Sequence, residues 1–309
     1  VKGAPVTRLA LGLLVSGLFL YLAVRNLSWA DFWASLRSVE PGRVGLAALL
    51  MVGAYALRAV RWRLFFRREE APGWWTSQGV VLLGFAANNL LPARSGELVR
   101  AHCMARLIGS SPARVLAMIV LERAFDALSL VVLTLVALPA ASRTFPGMGS
   151  LGWLGVAVVV VLAMLFWLWR TSGAGGDLRL FGAERLLGQF REGLHSLGRP
   201  PALAGIAALS LAVWSADVLW WWCAMSAFPA RRLPWDAALA ACVFGNVGTL
   251  IPSGPGAVGT LEAAIVLVLG LWGFEPGQAF AMALLVHVLQ FVYTTSTGWI
   301  SWMALWARG

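Results

Sequence analysis

Long apolar stretches, each about the length of a bilayer crossing, alternate along this chain with short polar joints. The first runs over about 8–24. Residues 27–40 (LSWADFWASLRSVE) are amphipathic, with Trp29, Phe32, Trp33 and Leu36, which predicts a helix lying at a membrane interface. A second span runs over about 42–66 and ends among Arg58, Arg61, Arg63, Arg67 and Arg68. Residues 76–91 are apolar but stop at Asn88, Asn89 and Pro92. As helix they reach only about 24 Å, short of the roughly 30 Å hydrocarbon core. Residues 93–108 (ARSGELVRAHCMARLI) are too polar to cross by themselves, so 76–108 is expected to form a re-entrant helical hairpin. Spans three and four cover about 112–139 and 149–169, a polar amphipathic piece covers 177–199, and span five covers 201–228. Two short apolar segments, 235–251 and 256–272, are broken by Ile251-Pro252-Ser253-Gly254-Pro255-Gly256 and form a second expected hairpin. The last span runs over about 276–306.

Composition agrees with this reading. Of the 309 residues 60% are hydrophobic and only 12% charged, with a mean hydropathy of +0.77. A soluble domain carries about a quarter charged residues, so a water-soluble globular enzyme and a disordered chain are both excluded. A β-barrel is excluded too, because its signature is short segments of strict alternation. The fold class is therefore an all-α polytopic membrane protein of about six transmembrane helices plus two re-entrant hairpins, in a single integral membrane domain over 1–309. Without a polar stretch of 50 residues, no soluble catalytic domain is expected within it. The net charge of +10 reports orientation and attraction to anionic head groups, and nucleic acid is not an expected partner. The positive-inside rule places the arginines at 58–68 and 170–199 in the cytoplasm, together with Lys2, Arg8 and Arg308. Arg143, Arg231 and Arg232 form an outside minority. Both termini are then cytoplasmic, and a cytoplasmic (inner) membrane is the expected location. The segment 9–24 is read as a retained helix, since Ala30 and Ala34 make a poor cleavage pattern.

An internal repeat emerges when the sequence is shifted by 160. Pro41, Gly45, Ala47, Ala48, Leu49, Ala56, Trp62, Trp75, Leu90 and Pro92 match Pro201, Gly205, Ala207, Ala208, Leu209, Ala216, Trp222, Trp235, Leu250 and Pro252, ten identities over 52 ungapped positions. At a shift of 164, Gly109, Pro112, Ala117 and Met118 match Gly273, Pro276, Ala281 and Met282. The repeats are 41–139 and 201–306. Three spans separate equivalent spans, and an odd number inverts orientation, so the two hairpins enter from opposite sides. Inverted repeats with broken helices are transporter architecture, with the site where the breaks meet.

Polar residues at membrane depth are costly and mark candidate sites. Around the first break stand Asn88, Asn89, Arg94, Ser95, Glu97 and Arg100, with Pro92 and Gly96 at the break itself. Arg94, Glu97 and Arg100 share a helix face. Two guanidiniums there suit a phosphate, and the half-helix starting near Ser95 would add amide donors. The bland alternative is a solvated helix with a local ion pair. Around the second break stand Asn246, Thr249, Ser253, Gly256 and Glu262, with Pro252, Pro255 and Gly259 shaping it. Span three carries Glu122, Arg123 and Asp126, equally suited to a site and to a salt bridge that locks helices. Their repeat counterparts are Val286, His287 and Gln290. Asp217, alone among tryptophans in span five, is expected to pair with an arginine. His102, His195 and His287 are scattered and form no zinc motif. Cys103, Cys223 and Cys242 have no metal-ligand spacing and are expected as buried thiols. Neither a P-loop nor a serine triad is present, so no metal, cofactor or nucleotide is expected, and a transporter is favoured over an enzyme.

The stretches 84–106, 121–130 and 245–285 resemble the lysylphosphatidylglycerol synthase transmembrane, or flippase-like domain, family. The resemblance rests on Asn89, Pro92, Arg94, Gly96, Glu97 and Arg100, then Glu122, Arg123 and Asp126, then Pro252, Pro255, Gly256, Gly259 and Glu262. It implies a stand-alone member without the soluble synthase domain, and a flippase or scramblase for a phospholipid or glycolipid with a charged head group. Movement is expected to be downhill, because acids beside Arg94, Arg100 and Arg123 would stay ionised. Two other classes remain open. One is an integral-membrane lipid-modifying transferase using Glu97, Glu122 or Asp126. The other is a non-catalytic, or homo-oligomeric, partner of an envelope enzyme.

Overall fold

The computed structural model of the chain describes residues 4–91, 95–144 and 200–307. Ten α-helices occupy them: α1 (Ala4–Val24), α2 (Trp29–Arg37), α3 (Pro41–Arg63), α4 (Trp74–Leu90), α5 (Gly96–Leu107), α6 (Pro112–Thr144), α7 (Pro200–Met225), α8 (Trp235–Gly248), α9 (Thr260–Leu271) and α10 (Pro276–Trp306). The expected span four, the piece 177–199, and Pro92 and Arg94 of the first break lie outside the described residues. The protein is an all-α, multi-pass helical membrane protein. Three described helices are long and apolar enough to cross a bilayer: Pro41–Arg63, Ala202–Met225 and Pro276–Trp306. Residues Ala10–Val24 and Trp29–Arg37 form a bent pair, turned by 85° at a short break.

Local chemistry sets the helix ends. Ser28 caps α2 by accepting the Asp31 amide, and Asp31 sits in the first turn where a negative charge suits the helix dipole. Pro41, Pro112, Pro200 and Pro276 each open a helix, the position where a missing N–H costs nothing. Gly109 and Gly273, both at positive φ, follow α5 and α9, and the next helix starts within three residues.

The chain divides into two compact units. The first comprises Val1–Ala59, Trp75–Arg100 and Ser215–Gly309. In it α9 packs against α8, α10 and α1, and α2 packs against α10. Its core includes Tyr55, Trp220, Met225, Phe228 and Ile265, each almost fully buried. Phe32 is the buried residue of α2 and sits 5.7 Å from the Phe280 ring, while Trp29 and Trp33 stay exposed. That is the expected amphipathic division of this helix. Gly298 of α10 packs so closely on α4 that a Cβ there would stand 2.6 Å from the Leu82 carbonyl oxygen.

The second unit comprises Val60–Trp74 and Ala101–Trp214. Arg61 is its pivot. This arginine, completely buried, donates to Glu122 Oε1 at 2.6 Å, to Asp126, and to Ser210 Oγ at 3.0 Å. Trp214 Nε1 adds a 2.9 Å bond to Asp126. Near the joint before α4, Arg63 donates to the Pro72 carbonyl at 3.0 Å, and Arg114 pairs with Glu70 at 2.6 Å. The arginine run 58–68 is thus not a uniform flank of cytoplasmic charge. Arg58 and Arg61 are buried, whereas Arg67 and Arg68 are exposed. Helical spacing turns the first two inward, and acids on distant helices are there to meet them.

Candidate functional site

Two helix breaks lie in the first unit. At the end of α4, Asn88 turns back on the start of α5. Its Oδ1 accepts the Gly96 amide at 2.8 Å, and its Nδ2 stands 3.4 Å from Glu97 Oε1. Only glycine fits at 96, because a Cβ would collide with the Gly84 carbonyl. The hairpin therefore closes tightly, α4 against α5. One expected anion donor, the first amide of α5, is already engaged by Asn88. Arg100 is buried one turn further on and packs its Cβ 3.3 Å from the Cβ position of Gly84. Asn89 faces α10 instead, donating from Nδ2 to Thr294 Oγ1 and Thr295 Oγ1, both at 2.9 Å.

The second break lies between α8 and α9. Asn246 bends back on its own helix and donates to the Cys242 carbonyl at 2.8 Å, and Thr249 Oγ1 donates to the Asn246 carbonyl at 2.7 Å. Ser253 Oγ stands 3.4 Å from Thr260 Oγ1. Pro255 opens a single 3₁₀ turn, Pro255–Ala257, in which Gly256 has φ 72°. Ser16 of α1 accepts the Gly254 amide at 2.9 Å. Gly259 has φ 90° and lies against the Ser16 carbonyl, so a side chain is excluded there on both counts. Glu262 then closes the start of α9. Its Oε2 accepts the Gly259 amide at 2.7 Å, and its Oε1 meets His287 Nδ1 at 2.5 Å.

These two breaks meet. A Cβ on Gly256 would stand 3.6 Å from the Asn89 carbonyl oxygen and 3.1 Å from the Phe291 ring. An open groove of about 440 Å³ adjoins this meeting point, lined by Leu90, Phe291, Val292, Thr295, Ser296 and Trp299. Its walls are almost entirely apolar, while Thr295 at its edge is the residue that holds Asn89. The arrangement sets a polar junction of broken helices beside an apolar groove. Trp299, Trp302 and Trp306 stack in sequence further along α10, with ring centroids 5.0 and 6.0 Å apart.

The chain belongs to the family described as the lysylphosphatidylglycerol synthase TM region, whose sequence profile matches residues 9–298. It is also similar to the glycosyltransferase AglD of Haloferax volcanii, at 25% identity over 341 aligned positions. That alignment takes in 95% of this chain and 54% of the archaeal protein, so the chain spans about half the length of the relative it matches. In this member of the synthase TM family, the expected site residues fall into groups of different character. Asn88, Asn89, Glu97 and Arg100 gather at the first break, and Ser253, Gly256 and Glu262 at the second. Asn246 is turned onto its own helix.

Glu122 and Asp126 belong to the other unit, where both serve Arg61. Arg123 is partly exposed and stands 3.2 Å from Asp126 Oδ2 and 3.4 Å from Glu122 Oε1. Asp217 pairs with Arg58 as expected, through a two-pronged contact whose first prong, Nη1 to Oδ1, is 3.0 Å. Trp220 Nε1 adds a 3.1 Å bond to the same oxygen, and the guanidinium lies 4.8 Å from the centre of the Tyr55 ring. Cys223 and Cys242 are buried free thiols.

Two sets of residues escaped the sequence reading. Arg58 and Arg61 were counted as topological charge, and their roles depend on acids 159, 61 and 65 residues away. In the sequence His287 stands out only as the repeat counterpart of Arg123 and as one of three scattered histidines. Its signal was available, since a histidine deep inside an apolar span calls for a partner, but nothing in the sequence names Glu262.

Proposed function

We propose that this chain moves a lipid with a phosphate-bearing head group, a phospholipid or a glycolipid, between the leaflets of the cytoplasmic membrane. The observation that carries the reading is the meeting of the Asn89 and Gly256 breaks beside an apolar groove. Irregular backbone is tolerated at membrane depth only inside protein or beside a wet cavity. A head group at the junction and a chain in the groove is the simplest use of such a place. The architecture that goes with it is an inverted repeat, 41–139 and 201–306, with about six spans and two oppositely directed re-entrant hairpins. Both termini are cytoplasmic. Arg94 and Arg100 supply positive charge to the phosphate, and Asn88, Asn89, Ser253 and Gly256 border its path. Membership in the synthase TM family supports a lipid as the cargo.

The test is reconstitution into liposomes carrying a fluorescent lipid, with a quencher added outside. Protein-dependent loss of fluorescence from the inner leaflet, without ATP, supports the reading. Arg94→Ala should lower that exchange at least tenfold while the protein stays folded. Failure to exchange anionic, aminoacylated and polyprenyl-linked lipids alike would overturn it.

A second reading is favoured by one finding, the glycosyltransferase name of the Haloferax volcanii relative. In that reading the chain is a lipid-modifying transferase or the partner of one. The lock of Glu122 and Asp126 onto Arg61 weighs against those acids as a catalytic base. Turnover of a labelled lipid by the purified protein separates the two.

A further inference from the structure

Among the described acids buried in the helices, most are matched to arginines. Asp217 has Arg58, and Glu122 and Asp126 have Arg61. A guanidinium is always charged, so such pairs cannot trade a proton near neutral pH. Glu262 is different, because its partner is an imidazole. Imidazole is the side chain whose ordinary range spans about pH 5 to 8.

We propose that the Glu262–His287 pair is a proton-binding site that couples a proton to each anionic lipid moved. The inference rests on the lipid-translocation reading above.

Glu262 Oε2 accepts the Gly259 amide, and Oε1 lies 2.5 Å from His287 Nδ1. In the proposed cycle Glu262 stays ionised and the Nδ1 facing it carries a hydrogen. The proton that comes and goes is then the one on Nε2. Without it the pair bears one negative charge, and with it the pair is neutral. Glu262 is nearly inaccessible, while His287 keeps 11% of its side-chain surface exposed, so the imidazole is the more accessible member of the pair.

Glu262 is met directly by His287 and by the Gly259 amide. The elements packed on α9 and α10 carry few other titratable groups. They are Tyr21 on α1, Asp31 and Arg37 on α2, Asp236 and Cys242 on α8, and Tyr293 on α10, with Glu275 just ahead of it, together with Tyr55 on α3, whose ring lies 5.3 Å from that of Tyr293 and carries Arg58 over its face. Asp31 and Asp236 sit in the first turns of their helices, and Cys242 bonds Asn246. None of them is bonded to Glu262 or His287 among the described contacts.

The pair also touches the junction. His287 packs edge-on against Phe291 with ring centroids 6.2 Å apart, and Phe291 lines both Gly256 and the groove. A negative pair opposes an anionic head group at the junction, and a neutral pair accepts it. Proton and anionic lipid therefore enter together, and the cargo, one proton plus one lipid monoanion, carries no net charge. The proton is taken from water on one side and released from Nε2 to water on the other, with the pair returning to its negative state.

The experiment measures the leaflet distribution of a fluorescent anionic phospholipid in liposomes holding the full chain, with a pH gradient or with a potassium-valinomycin potential. One proton per lipid predicts a distribution shifted about tenfold per pH unit, with no response to the potential. In Glu262→Gln and His287→Asn the shift falls to one-fold, whatever the rate of exchange. Both substitutions keep a hydrogen-bonding atom at the junction, and thermal unfolding checks that each variant is folded.

Exchange in the unaltered protein with no gradient response overturns the coupling and leaves translocation standing. A full gradient response in folded Glu262→Gln and His287→Asn overturns the assignment to this pair. No exchange of any lipid under any gradient overturns the translocation reading, and the coupling falls with it.

Discussion

A buried arginine bound by two carboxylates is a costly object whose value shows only when it is cut. Arg61 is inaccessible to solvent and holds Glu122 and Asp126 together. Arg61→Ala takes the buried partner from two acids and leaves them the partly exposed Arg123, and removing one partner from a buried pair costs about 3–5 kcal/mol. Thermal unfolding in detergent should show this as a large fall in midpoint. The triple variant Arg61→Met, Glu122→Gln, Asp126→Asn should be considerably more stable than Arg61→Ala alone, because the one charge it leaves without these acids, Arg123, is partly exposed. Equal losses would refute the ion-pair account. Glu262→Gln belongs to the milder kind. The amide oxygen of glutamine can still accept from Gly259, so the start of α9 should survive, with a stability change below about 1.5 kcal/mol, the net worth of one hydrogen bond. The sequence pointed to every one of these acids, because a charge in an apolar span stands out against its surroundings. It did not reveal their partners. Arg58 and Arg61 lie at the end of a hydrophobic run, where topological charge is also found, and burial alone separates the two uses.

At the scale of elements, the hairpins are shaped by small residues where backbones cross. A Cβ at Gly96 meets the Gly84 carbonyl, and a Cβ at Gly259 meets the Ser16 carbonyl in a residue already at φ 90°. Overpacking of this kind costs about 1–3 kcal/mol. Gly96→Ala should thus loosen the α4–α5 hairpin, read as faster amide hydrogen exchange over 84–100 than in the unaltered chain. The opposite outcome, unchanged protection with an unchanged unfolding midpoint, would mean the hairpin has slack that the close contact denies. The sequence located these breaks well. Asn88-Asn89 followed by Pro92, and Pro252-Ser253-Gly254-Pro255-Gly256, are strong punctuation in an apolar text, and the helices end at Leu90 and Gly248. What those motifs leave out is the local use of the polar side chains. Asn88 closes its own turn on Gly96, since a local amide within reach satisfies it first.

For the whole molecule the topology turns on which helices cross. Three described helices have the length and apolarity to do so, and α4, α5, α8 and α9 are shorter. If α4–α5 and α8–α9 are re-entrant, the two ends of each hairpin emerge on one side. Single cysteines at Gly73→Cys and Ser110→Cys, in a chain with Cys103, Cys223 and Cys242 replaced by serine, should react from the cytoplasmic side alone. Arg232→Cys and Glu275→Cys should react from the opposite side alone. Gly73 has open space around its Cβ position and Arg232 is exposed, so probe access does not limit the result. Labelling of Gly73→Cys and Ser110→Cys from opposite sides would make α4–α5 a crossing and end the inverted-hairpin topology.

Hydrophobic length and punctuation are local properties, and the sequence by itself determined what depends on them: a helical membrane class, the helix bounds to within a few residues, and the two breaks. Family membership followed from the spacing of a few residues around those breaks. Pairing is not local. That Arg58 meets Asp217, that Arg61 gathers Glu122 and Asp126, and that Asn89 reaches Thr294 was decided only when distant helices packed, because a buried charge takes whichever complementary group the tertiary structure delivers. The same holds for Glu262. Its neighbour in the sequence is Gly259, at the turn it caps, but the group that gives it a titratable partner, His287, is 25 residues away on another helix.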